Sequence, residues 1–138
     1  MAGVCDLNGP YDLLAKLGRE LDRLRQSPND ADHAFNFFVT ADHMLDWLDP
    51  GYGAAEKRRK SARENNSLLQ LVSHIANGAK HFDRLSHHQP NPVMRRILEQ
   101  QLTIDVGAEA GKAMGAYRIT ALSLADRVYA YWAEPGRI

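Results

Sequence analysis

Residues 27–48 read SPNDADHAFNFFVTADHMLDWL, and the spacing of their apolar members decides the fold class. Ala34, Phe37, Phe38, Ala41, Met44, Leu45 and Leu48 recur at steps of about three and four, so they share one broad arc of a helix facing a core. Ser27 reads as the N-cap, Pro28 as the first helical residue and Asp30 as the N3 acceptor of a capping-box-like turn. At the other end Asp49-Pro50-Gly51-Tyr52-Gly53 stops the helix near Leu48.

The same period extends to both sides. Upstream, Leu13, Leu14, Leu17, Leu21 and Leu24 predict a helix that starts near Pro10 and ends at Ser27-Pro28. Downstream, the polar run Glu56 to Arg63 reads as a short exposed helix or an ordered loop. Leu68, Leu71, Val72, Ile75, Ala79 and Phe82 then mark a long helix over about 66–85. Ser86-His87-His88-Gln89-Pro90-Asn91-Pro92 follows as a loop, because its prolines disfavour helix.

Beyond this loop the period shortens to two. Leu102-Thr103-Ile104-Asp105-Val106 alternates as a half-buried strand does, and Tyr117 to Thr120 has the same character. The glycine- and alanine-rich segment 107–115 reads as the connection of a hairpin. Ser123 with Asp126 offers a cap for a last helix carrying Leu124, Val128, Tyr131 and Trp132. The expected architecture is mainly α: a bundle of about four main helices with a β-hairpin before the C-terminal helix. It forms one domain over 1–138, with residues 1–9 flexible, 86–93 a loop and 102–120 the hairpin.

With 44% hydrophobic and 25% charged residues the composition is that of a globular chain. Seventeen basic residues balance seventeen acidic ones, which argues against strong nonspecific binding to nucleic acid or membrane. Cys5 stands alone, so no intramolecular disulfide forms, and a reducing compartment is expected. No segment reads as a secretory signal, a myristoylation site or a bilayer span. The expectation is a cytoplasmic, soluble protein without a cofactor.

Two polar stripes carry the chemistry. His33, Asn36, Thr40, His43 and Trp47 alternate steps of three and four beside the apolar arc of the second helix. Gln70, His74, Asn77, His81 and Arg84 do the same on the long third element. Were the two helices neighbours, His43, His74, Asn77 and His81 would border one cleft of groups that exchange protons near neutral pH. The plainer account is that such histidines are hydrogen-bonded boundary residues, and that Asn36 and Thr40 cap or bridge helices.

The stretch from Ala34 to Trp47, with Ile75-Ala-Asn-Gly-Ala-Lys-His-Phe82, resembles an uncharacterised bacterial and phage protein family. Its members share the FNFFVTA-H-DW helix, the AN-KHF helix, and a hairpin leading to a C-terminal helix that ends in Tyr-Trp. The likeness covers about 28–133 and implies architecture more than activity. A more distant resemblance is to HEPN domains, helical bundles of toxins and defence ribonucleases whose hallmark is an arginine and a histidine separated by four to six residues on a late helix. Before His81 those places hold His74, Ile75 and Ala76, and Arg84 stands too close to His87 and His88, so the catalytic motif is absent as it stands. The resemblance implies RNA as substrate or ligand in a mobile-element or defence setting. His81 would be the acid or base, Asn77 a polar neighbour one turn earlier, and Lys80 or Arg84 the phosphate partner. Lys80, however, projects about 100° from His81 on an ideal helix.

Other chemistries find less support. Asp30 with His33, and His43 with Asp46, have helical ligand spacing, and His81, Asp83, His87 and His88 cluster in sequence. Paired Glu-x-x-His motifs of a di-iron bundle are lacking, so no metal is assigned. The run Lys57 to Arg63 could contact phosphate, yet no aromatic interleaves with it, and such runs are commonly solvated helix faces. There is no phosphate-binding glycine loop, nucleophile elbow or dinucleotide fingerprint. Binding residues are expected among His43, His74, Asp46, Trp47, Asn36 and Arg84. The open functions are an RNA module, a non-enzymatic antitoxin-like or inhibitor-like interaction protein, and a His/Asp metal binder. Tyr129, Tyr131 and Trp132 are candidates for a homodimer surface.

Overall fold

The computed structural model describes residues 6–80, 93–97, 101–106, 112, 115 and 118–138; the side chains of 79, 80 and 93–97 are outside the description. In chain order the elements are α1 Pro10–Gln26, α2 Ala31–Leu48, α3 Ala54–Glu64, α4 Ser67–Lys80, β1 Val93–Ile97, β2 Gln101–Asp105, β3 Arg118–Thr120 and α5 Ala121–Ala133. The chain is therefore mainly helical, with antiparallel strands just before the last helix.

Helix α2 is central, packing against α1, α4 and α5, while α5 also packs on α1. Its arc works as its spacing demands: Ala34, Phe37, Phe38, Ala41 and Met44 are buried. The rings of Phe37 and Phe38 meet edge to face at 5.2 Å, an arrangement that adds to their area burial. From α1 come Leu13, Leu17, Leu21 and Leu24, from α4 Leu71, Val72 and Ile75, and from α5 Leu124, Val128 and Trp132. Gly18 gives α5 room to approach α1, since a Cβ there would lie 3.4 Å from the Tyr129 hydroxyl.

The sheet differs from the expected hairpin by one strand. β2 is its centre, pairing antiparallel with β3 (Thr103 opposite Thr120) and with β1 (Val93 opposite Asp105). Val93, read as the end of a loop, opens β1 instead. The segment Val-Met-Arg-Arg-Ile shows no alternation; it becomes a strand because β2 offers it an edge to pair with. Leu102, Ile104 and Val106 are buried as the alternation requires, and central Thr103 is buried too.

Two helix starts also move. α2 begins at Ala31, not Pro28: Asp30 is the cap, accepting from the backbone N–H of Asp32 at 2.8 Å and of His33 at 3.3 Å. The residues ahead of it serve the sheet, where the Asn29 side chain accepts the Leu102 N–H at 2.9 Å. α5 is capped by Thr120, whose hydroxyl oxygen accepts the Ser123 N–H at 3.1 Å. Asp126, expected in that cap, instead binds Arg25 of α1 at 2.9 Å. Trp132, offered as a dimer-surface residue, is buried in the core, with Tyr129 and Tyr131 packed partly against it. The loop expected over 86–92 and the hairpin connection over 107–115 lie outside the described residues, apart from Lys112 and Gly115. Among the described residues no helix is long and apolar enough to cross a membrane.

Candidate functional site

A cleft of about 500 Å³ opens where α2, α3 and α4 meet. The turn that builds it is Pro50-Gly51-Tyr52-Gly53, in which Gly51 (φ 107°) and Gly53 (φ 67°) adopt left-handed conformations that side chains resist. α3 then runs beside α4 with a sequence, AAEKRRKSARE, that buries only Ala55. It can contribute little to the core, and long cationic side chains tie it to α2.

The acceptors on α2 and its C-cap are Asp42, Asp46 and Asp49, spaced four and three residues apart and so aligned on one face. Arg58 forks onto Asp49, Nε to Oδ2 at 2.7 Å and Nη2 to Oδ1 at 2.8 Å. That bidentate hydrogen bonding, reinforced by the charges of Arg58 and Arg59, holds the Asp49 carboxyl below its ordinary 3.8. The same bond raises the Arg58 guanidinium. Arg59 places Nε 3.1 Å from Asp46 Oδ1 and donates from Nη1 to the Asp49 carbonyl at 2.6 Å. Arg63 donates from Nη2 to the Asp42 carbonyl at 3.2 Å and to its carboxylate at 3.4 Å, and its own Nε is buried without a hydrogen-bond partner.

Of these groups, Asp46, Arg59 and Arg63 line the cleft, together with Glu56, Lys60 and Glu64 of α3 and Gln70, Ser73, His74 and Asn77 of α4. Three acidic and three basic side chains thus face one another, and the lining carries no formal excess charge with His74 neutral. On the α4 side Asn77 donates its amide to the Ser73 hydroxyl at 3.4 Å. Guanidinium, amide, hydroxyl and imidazole groups within one concavity can bind an anionic oxygen and a neighbouring hydrogen-bonding group together.

Of the four residues expected to border one cleft, His74 and Asn77 meet here, joined by the separate binding candidate Asp46. The α2 stripe as a whole does not border the cleft. Thr40 is buried toward α1, donating to the Asn36 carbonyl at 2.7 Å and accepting from Lys16 Nζ at 3.3 Å. Asn36 is exposed, His43 is half-buried outside the cleft lining, and Trp47 packs partly against the core. Thr40, midway along the row, meets α1, Asn36 meets solvent, and Asp46, which lies beside the row, meets α3. His81 and Arg84 lie outside the described residues, as does the Lys80 side chain.

Arg59 and Arg63 were visible in sequence only as part of a basic run. The signal that singles them out is their four-residue spacing opposite Asp42 and Asp46, which matters once the glycine turn folds α3 back. Among the described residues no group of three or more His, Cys, Asp or Glu side chains is placed to hold a metal ion. No family model, curated protein or solved structure matches the chain.

Proposed function

We propose that this chain is a small HEPN-like helical module that binds single-stranded RNA, with a backbone phosphate taken into the cleft between α2, α3 and α4. The observation that carries this reading is the meeting of His74 and Asn77 with the guanidinium groups of Arg59 and Arg63 in one concavity. Arginine suits phosphate because its planar fork presents two donors at once. Asn77 and Gln70 would add amide donors and acceptors for a base edge or a ribose hydroxyl, which is how single strands are read. The balanced charge of the chain implies a local and weak association rather than one driven by a basic surface. The reading is binding; a cleavage step would need an acid and a base poised at the phosphate.

The test is fluorescence anisotropy with a labelled uridine oligonucleotide of about twelve residues. Wild type is expected to bind in the micromolar range, and Arg59→Gln to weaken binding roughly tenfold. Wild type that leaves the probe free at millimolar protein ends the RNA reading. A second reading, a protein-interaction module, is favoured by Tyr52, which stands 93% exposed on the turn into α3. Aromatic residues in such positions are enriched at interfaces. Equal RNA affinity of wild type and Arg59→Gln would make this second reading the stronger.

A further inference from the structure

We infer that Asp46 is an internal occupant of the anion site and that an RNA phosphate enters the cleft by displacing its carboxylate from Arg59; this rests on the RNA reading above. The two ends of that ion pair are unequally held. The Arg59 side chain is only 13% exposed and is anchored a second time, through Nη1 to the Asp49 carbonyl. The Asp46 side chain is 46% exposed, and among the described residues its ion pair is with Arg59 alone. A rotation about the Asp46 χ1 moves the carboxylate into water while the guanidinium stays in place. The cation is therefore preorganised and the anion replaceable, as a site for an incoming phosphate requires.

Competition follows from chemistry shared by the two anions. Carboxylate and phosphate both accept from the same guanidinium edge, and a phosphodiester cannot share it with a bound carboxylate without like-charge repulsion. Asp46 thus lowers RNA affinity while satisfying Arg59 in the free protein. Arg63 differs: its partner Asp42 is buried, so that pair is the fixed wall of the cleft rather than its gate.

The experiment compares wild type, Asp46→Asn, Glu56→Gln and the double variant Asp46→Asn/Arg59→Gln with the same labelled uridine oligonucleotide, after thermal melts establish that each is folded. Glu56 lines the same cleft and makes no ion pair among the described residues, so its loss matches the charge change alone. Asp46→Asn is expected to bind about fivefold tighter than wild type. Glu56→Gln is expected to gain less than half as much, and the double variant to fall to wild-type affinity or below. Equal gains for Asp46→Asn and Glu56→Gln would overturn displacement in favour of general charge. So would unchanged or weaker binding by Asp46→Asn, with the RNA reading left standing. If none of the four binds, the RNA reading itself fails and this inference falls with it.

Discussion

α1 and α3 are both rich in charge, yet α1 buries Leu13, Leu17, Leu21 and Leu24 whereas α3 buries Ala55 alone. Each fully buried leucine is worth about 1.5–3 kcal/mol, so α1 is held by a term that ionic screening does not weaken. α3 is held by arginines reaching Asp42, Asp46 and Asp49. For the Arg59–Asp46 pair, whose carboxylate is 46% exposed, the expected contribution is only about 0–1 kcal/mol. The leucine-packed helices give a fixed platform, and the polar flank offers groups whose bonds can be exchanged for bonds to a ligand. Elements of low local stability are the ones that move on binding.

The largest effect is expected in the leucine- and phenylalanine-packed platform. Phe38→Ala, at a side chain with no exposure, is expected to destabilise the fold by about 3–5 kcal/mol. Urea unfolding followed by far-ultraviolet circular dichroism measures this, and a loss below about 1 kcal/mol would contradict the division. A middle-sized effect is expected at the fixed wall of the cleft. Asp42→Ala removes a buried carboxylate and leaves the largely covered Arg63 guanidinium without its counter-ion, at a cost of about 1–3 kcal/mol. The same urea titration checks it, and hydrogen exchange should show the loss concentrated in α3 and α4 amides.

The smallest effect concerns pH. The folded-state pKa of Asp49 is depressed, so its contribution is fully present above its ordinary value of 3.8 and is lost as pH falls through the lower folded value. Asp49→Asn should therefore flatten the acid side of the stability profile below pH 3.8 and leave its pH dependence near neutrality unchanged. Unfolding midpoints measured from about pH 2.5 to pH 6 read this directly. An unaltered acid slope would mean that Asp49 is no better bound in the folded chain than in the unfolded one.

The candidate site was half legible in the sequence. His74 and Asn77 stood out because side chains three apart on a helix share a face, and that holds whatever the helix packs against. The partners from α3 did not stand out, since a run of lysines and arginines looks alike whether solvated or latched to aspartates. Local spacing puts Asn36 and Thr40 on one stripe of α2 with His43, but Asn36 faces solvent and Thr40 faces α1.

α1, α2, α4 and α5 follow from apolar side chains at helical period, and β2 from alternation at period two; these are local signals that survive any arrangement of the rest. Tertiary structure alone decided that Val93–Ile97 is a strand, because a strand without alternation exists only where another edge pairs with it. It alone also decided that α2 starts at Ala31, with Asn29 drawn off to the backbone of Leu102. The cleft belongs to the same class: Asp46, Arg59 and His74 lie on three helices. Their meeting depends on how those helices cross, which no single stretch of residues encodes.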